Sequence, residues 1–412
     1  MAETITNITH SWRADFPIFE TEMNGKPLVY LDSAASAQKP RAVIERINHL
    51  MNCNYSNVHR GLYKISQSLT EGFECARSKI HHFANISDDY DVIFTRNATE
   101  AINLVAHSWG RTSLLEGDEI ILSEVEHHAN IVPWQLINKN NKFSVKFIPM
   151  HEDKKLDLDA YASLLNERTR LIAVNHVSNA LGIKNNIKKI ISLARHFNPG
   201  IKILIDASQS IVHDQVDFSE IGADFYVFTG HKLYGPTGVG VLIGQHHLMN
   251  DMLPYQGGGD MIEHVTTSGS TYKPSPHRFE AGTPAIMEVI GLGTAIDYLV
   301  DIGMARVAKH ENDLLKTATN AIKDIDGLRI YADVPDKAPI ISFTADWGHI
   351  SDIAMILDQC GVAVRTGHHC CMPLMQKLGI EGTIRASFGL YNTENDIDRF
   401  IGALKKARTL LT

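Results

Sequence analysis

Cysteine is scarce in this chain. Five stand among 412 residues, Cys53, Cys75, Cys360, Cys370 and Cys371. They are odd in number and none sits in a CxxC spacing, which argues against a disulfide framework and fits a reducing compartment. Positive charge is short as well. Lys and Arg number 39 against 47 Asp and Glu, a net charge of −8 that suits no nucleic-acid surface. No apolar run reaches the roughly 18 residues a membrane span requires. The nearest, Pro284–Val300, is broken by Glu288 and Asp297 and reads as a buried helix. Met1–Trp12 has no basic stretch followed by an apolar one, so no secretory signal is expected and the cytoplasm is the expected compartment. A GxGxxG after a strand, with an acid about 20 residues on, is missing too. The only similar run, Gly235–Gly240, has the wrong spacing for a nucleotide-dependent oxidoreductase. Repeats, low-complexity tracts and linkers are lacking. What remains is the composition of a globular protein, long enough for two domains.

From residue 90 onward the pattern alternates strand, loop and helix. Runs with β propensity stand at 91–95, 119–123, 145–150, 171–175, 201–206, 224–229 and 239–243. That rhythm predicts an α/β fold with a mostly parallel sheet covered on both faces. In such sheets ligands lie outside the carboxyl ends of the strands. The residues that follow those ends are polar each time: Thr95 to Thr99, Glu126-His127, Asn179, Asp206 to Gln209 and Thr229 to Lys232. This convergence depends on no single motif.

The sharpest of these ends is Asp224 to Gly238. A strand of Phe, Tyr and Val runs into a turn punctuated by Gly230, Gly235, Pro236 and Gly238, and the turn holds Lys232. A lone lysine is usually a surface cation. Here Thr229 and His231 flank it with donors suited to a phosphate, and the preceding strand, Ile201–Ile205, ends in Asp206. An acid and a lysine at neighbouring strand ends suit pyridoxal phosphate. The amine links to its aldehyde, and the carboxylate pairs with the ring nitrogen. Ala98 and Thr99 open a helix whose N-terminus is a ready phosphate site; taken alone, Thr99 reads as a helix cap. The neighbouring His127 and His128 are not expected to bind metal, since adjacent histidines on a turn rarely point the same way.

The run GHKLYGPTG at residues 230–238, Asp206-Ala207-Ser208-Gln209 before it and Arg365-Thr366-Gly367-His368-His369-Cys370 after it together resemble the SufS-type (group II) cysteine desulfurases. These are class V members of the aspartate aminotransferase fold, PLP-dependent fold type I. The likeness runs from about Asp15 to the C-terminus. It implies conversion of L-cysteine to L-alanine with a persulfide left on Cys370, sulfur supply for iron–sulfur cluster assembly, a homodimer, and a sulfur-acceptor protein of the SufE or SufU kind. Selenocysteine lyases and cysteine-sulfinate desulfinases share the fold and stand as the alternative.

The resemblance also implies roles. His127 stacks on the cofactor ring and helps move protons. Asn179 lies near the cofactor's phenolic oxygen and the substrate, and Gln209 touches that oxygen from the other side. Ala35 borders the substrate and His59 lies near it, with Arg60 at the dimer-facing edge. Thr283 reaches the phosphate in the partner subunit. Arg385 clamps the substrate carboxylate, supported by Arg365. Tyr63-Lys64 and Cys371 depart from the family's pattern.

Cys370 differs from the other cysteines even without the family. A free cysteine is usually a small buried hydrophobe. Cys370 lies in a glycine-bounded loop beside two histidines, before a helix that a proline starts, and positive neighbours with a helix dipole favour a thiolate. Adjacent cysteines form a disulfide only with strain, so Cys371 reads as inert. Past residue 295 the pattern turns to helices and a short sheet: Ser351 is expected to cap a helix ending at Gly361, and Thr393 to start the last one. The expected division is a large unit over 20–295 and a smaller α+β unit from 1–19 and 296–412, which carries the cysteine loop.

Overall fold

The structure, a computed structural model, describes residues 12–412. Met1–Ser11, where the sequence leads us to expect no signal and part of the small unit, lies outside the described residues. Seven strands form the main sheet: β1 Tyr90–Thr95, β2 Glu119–Ser123, β3 Ser144–Ile148, β4 Thr169–Asn175, β5 Lys202–Asp206, β6 Phe225–Thr229 and β7 Gly240–Gln245. Their order is β1-β7-β6-β5-β4-β2-β3. β7 runs antiparallel to both its neighbours, and the other pairs are parallel.

Side chains on a strand alternate between faces, and here both faces are apolar. Ile120 and Leu122 enter one buried cluster and Ile121 the other; Phe225 and Val227 oppose Tyr226 and Phe228 in the same way. Such two-sided strands need helices on both sides. Arg41–Cys53, Lys64–Phe83 and Ile286–Ile302 supply one layer, and Ala98–Val105 with Val132–Asn141 the other. Gly240 is required where β7 begins. A Cβ there would lie 2.3 Å from the Asn97 carbonyl carbon, so only glycine lets the strand pass under the turn that opens Ala98–Val105.

A second sheet holds β8 Leu328–Tyr331, β9 Ile340–Ala345, β10 Arg365–Gly367 and β11 Thr383–Ser387, ordered β8-β9-β11-β10 and antiparallel throughout. Met304–Lys323, Ile350–Gln359 and Glu394–Leu411 pack on it. The last helix starts as expected, in a capping box of Thr393 and Asp396. The expected Ser351 cap is corrected. His349 is the N-cap, and its ring accepts from the Ser351 N–H, because the helix begins two residues earlier than that cap implies. Val29–Tyr30 pairs in parallel with Val362–Ala363, and Val29 and Leu31 join this sheet's core. Among the described residues, no helix is long and apolar enough to cross a membrane.

Candidate active site

The ends of four strands converge on one pocket. β2 delivers His127 four residues past its last position, β4 delivers Asn175 and then Asn179, β5 Asp206, and β6 Thr229 with Lys232 beyond it. Ala98 and Thr99 close the pocket from the helix after β1, and Ala34 and Ala35 approach from the N-terminal segment. Arg365, His369, Cys370 and Arg385 come from the second sheet and its loop. Thirteen expected site residues thus share one cavity: Ala35, Ala98, Thr99, His127, Asn179, Asp206, Gln209, Thr229, His231, Lys232, Arg365, Cys370 and Arg385.

Two do not. His59 has φ of 72°, contacts Glu74 at 3.4 Å, and lines a separate cavity with His277 and Glu280. Thr283 lines a third, beside Thr95 and Gln256. The expected place for His59 beside the substrate is therefore not met within one chain. Thr283 was expected to act in a partner's pocket, and it stands away from its own.

Burial sets the charge of the pocket's bases. Lys232 is held below the ordinary amine range, chiefly by burial, although Asp206 opposes this. Burial and then the Lys232 charge push His127 down to about 4, and His231 likewise to about 4. Both rings are therefore neutral at physiological pH. His127 Nδ1 accepts the Ala129 N–H at 3.1 Å, which fixes the ring and leaves Nε2 free for proton exchange. Asp206 is buried and accepts the Ser208 N–H at 2.9 Å. Asn97, not Thr99, caps the helix Ala98–Val105, by accepting the Glu100 N–H at 2.9 Å.

Some expected contacts are spoken for by the protein itself. Asn179 Nδ2 donates to the His369 carbonyl at 2.8 Å, and its Oδ1 lies 3.2 Å from Cys371 Sγ. Gln209 donates to the Ala34 carbonyl at 2.8 Å. These amides tie the cysteine loop and the N-terminal segment to the pocket.

The sequence reading gave no role to Asp32, Glu126 or His128, and the structure makes each one prominent. Asp32 holds Arg365 through a two-pronged contact at 2.9–3.1 Å and Arg385 at 3.2 Å. Its signal was present, an acid ending a short strand, the same pattern that marked Asp206. Arg385 also donates to the Asn179 carbonyl at 2.9 Å, and its Nε is buried without a partner among the described residues. Glu126 is fully buried beneath His127 and accepts from Ser123, Asn130 and the Asn175 N–H. Burial raises its carboxyl to about 7.

Cys370 is exposed and Cys371 is buried. Burial pushes the Cys371 thiol up to about 12. His369, expected as a positive neighbour of Cys370, is held down to about 3 by burial and Arg385 and so carries no charge. Among the described residues no cluster of His, Cys, Asp or Glu could hold a metal ion.

Residues 29–400 match the family described as aminotransferase class-V. The chain belongs to that family. A cysteine desulfurase of Pectobacterium carotovorum is 44% identical over 400 residues, covering 97% of this chain and 98% of the relative. The solved cysteine desulfurase CsdA of Escherichia coli, in an S-sulfonic acid form, is 37% identical with a TM-score of 0.91 over 98% of this chain and 99% of that one. The apo cysteine desulfurase of Thermococcus onnurineus is 33% identical with a TM-score of 0.92 and covers 98% of each chain. The class-V family accounts for the topology described above, an α/β fold of the aminotransferase kind with a smaller antiparallel sheet beside the main one.

Proposed function

We propose that this chain is a cysteine desulfurase that uses pyridoxal phosphate to convert L-cysteine to L-alanine and keeps the sulfur as a persulfide on Cys370. The observation that carries this is a single pocket holding an amine, a carboxylate and an exposed thiol: Lys232, Asp206 and Cys370.

The residues present fit the cofactor. Thr229 Oγ1 and Ser208 Oγ are buried without partners among the described residues, and both belong to segments that line the pocket. A phosphate or ring substituent would satisfy such groups. The N-terminus at Ala98 and Thr99 suits the phosphate, Asp206 the ring nitrogen, and Lys232 the aldehyde. When bound, pyridoxal phosphate supplies an aldehyde that captures the amino acid and a ring that takes up electrons from its Cα. Lys232 Nζ, with its basicity lowered by burial, takes and returns the Cα proton. Neutral His127 stacks and relays a proton through Nε2. Arg385, a planar fork with a free Nε, holds the substrate carboxylate, and Arg365 supports it. Cys370 takes the substrate's sulfur and presents it at the pocket mouth.

The reading extends to partners. Thr283 and His59 line cavities outside their own pocket, and Met51, Tyr55, Leu62 and Tyr63, close to residue 60 in sequence, are each exposed. Both features support a homodimer in which each chain completes its partner's site. The persulfide passes to an acceptor protein in the cytoplasm for iron–sulfur cluster assembly. We also propose two units, 1–19 with 296–412 and 20–295, with residues 29–32 packed against the smaller one.

The visible spectrum of the purified protein, before and after L-cysteine, tests the reading. A yellow protein whose band shifts and that releases alanine is expected. A colourless protein that added pyridoxal phosphate does not turn yellow would end it. Activity on selenocysteine alone would change the substrate.

A further inference from the structure

The helix Met372–Leu378 begins without a cap of its own. Cys371 stands at the N-cap and makes no side-chain bond to the helix. A helix start leaves N–H groups that need outside acceptors. Here the Met372 N–H donates to His128 Nε2 at 3.0 Å, across 244 residues of sequence. The His128 backbone N–H in turn donates to the Cys370 carbonyl at 2.7 Å. One residue thus grips the cysteine loop on both sides of Cys371, once through its main chain and once through its ring.

The loop needs that grip. His369 and Cys370 have φ of 50° and 56°, a left-handed conformation that side chains other than glycine's adopt at a cost. Other segments must hold it in place. His128 also follows His127 directly, so the grip fixes the distance between the pocket's base and its thiol.

We propose that His128 is a positioning residue, a latch that sets where Cys370 stands by capping the helix that follows it. The latch needs a neutral ring, because Nε2 accepts only when unprotonated. The titratable groups facing the ring are His368 from the loop and His127 on its own turn; Lys377 of the capped helix is paired with Glu124. Burial and then His368 hold His128 below the ordinary histidine range. A depressed value in the folded state means the latch is closed at neutral pH and opens as pH falls through that value.

The inference rests on the desulfurase reading for its consequence. Hydrogen exchange tests it separately from turnover. The holoenzyme is compared with H128L and H128Q by deuterium uptake in the peptide spanning 367–378, at neutral pH and at about pH 5, with kcat and KM measured alongside. Leucine keeps volume and the backbone N–H, and glutamine restores an acceptor. In H128L, exchange of the Met372 amide should rise about tenfold, the worth of one hydrogen bond, and kcat should fall with KM little changed. H128Q should restore protection at neutral pH. Acid should deprotect the wild type, beyond the intrinsic change, and spare H128Q. Wild-type protection in H128L, or a wild-type acid response in H128Q, would overturn the latch. Should H128L fail to fold, the H128Q acid response decides alone. Latch behaviour in a protein that releases no alanine from cysteine would instead overturn the functional reading.

Discussion

The floor and the rim of the pocket are built by different means. Lys232 and His127 stand just past, and Asp206 at the end of, strands that are buried on both faces. Cys370 stands on a loop of two left-handed residues, tied down by bonds from His128, Asn179 and Thr383. Positions fixed by a packed sheet resist displacement, and positions held by a few hydrogen bonds open at modest cost. Proton transfer at a carbon needs the first kind. Handing sulfur to another protein needs a thiol that can leave its place.

The largest effects should separate the two regions outright. Lys232→Ala should lower alanine formation by at least about 10³-fold, since it removes the proton acceptor and the cofactor's covalent anchor together. Cys370→Ala should abolish sulfur release from cysteine to a similar degree and leave the bound cofactor's absorbance intact. Absorbance and alanine release, measured on both variants, check this. If Cys370→Ala also lost the cofactor, the rim would be part of the floor and the contrast would fail.

A middle-sized effect belongs to the arginines where the two regions meet. Asp32 holds Arg365 and Arg385 in one geometry. Asp32→Ala should raise KM for cysteine about tenfold, the worth of a lost charged hydrogen bond, with a smaller change in kcat. Arg385→Ala should cost more, because it removes the clamp and leaves Asp32 with a single partner. Steady-state kinetics over a wide cysteine range separates the two constants.

Glu126 sharpens the account of the floor through pH. Burial raises its carboxyl to about 7 in the folded state, against about 4.3 unfolded. A raised acid favours the protonated fold, so its contribution is present below the unfolded value and is lost as pH rises towards about 7. Neutral His127, His231 and His369 act in the opposite sense, losing their contribution as pH falls below the histidine range. Glu126→Gln should therefore flatten the decline in stability between about pH 4.3 and 7, by on the order of 3 kcal/mol. Thermal melts of both proteins at several pH values check it.

The floor was far more legible in the sequence than the rim. β1 to β7 fall within two residues of the runs at 91–95 through 239–243, because two-sided apolar strands flanked by glycine and helices carry a strong local signal. Their polar ends followed from the strands. Asp32 was missed because its strand has only two paired residues, and its partners Arg365 and Arg385 are more than 330 positions away. No local pattern shows such a contact. His128 was passed over for the same reason, since its partner Met372 is brought near only by the fold. The Ser351 cap failed by two residues, as helix boundaries inferred from propensity alone often do.

The smallest expected effect tests whether neighbouring thiols belong to different regions. Cys371 is buried, with its thiol pushed up to about 12, and it donates to Asn179 Oδ1 at 3.2 Å. Such a thiol is no nucleophile at neutral pH. Its work is to pin Asn179, which in turn holds the His369 carbonyl. Cys371→Ala should lower stability by about 1 kcal/mol, the cost of one buried polar contact, and leave turnover within about twofold. Cys371→Ser keeps a donor and should lose less. Mass spectrometry after one turnover should find the extra sulfur on Cys370 in both variants. Sulfur on position 371 in the wild type, or a loss of persulfide in Cys371→Ala as deep as in Cys370→Ala, would mean that the buried thiol joins the chemistry and that the rim extends one residue further than its exposure suggests.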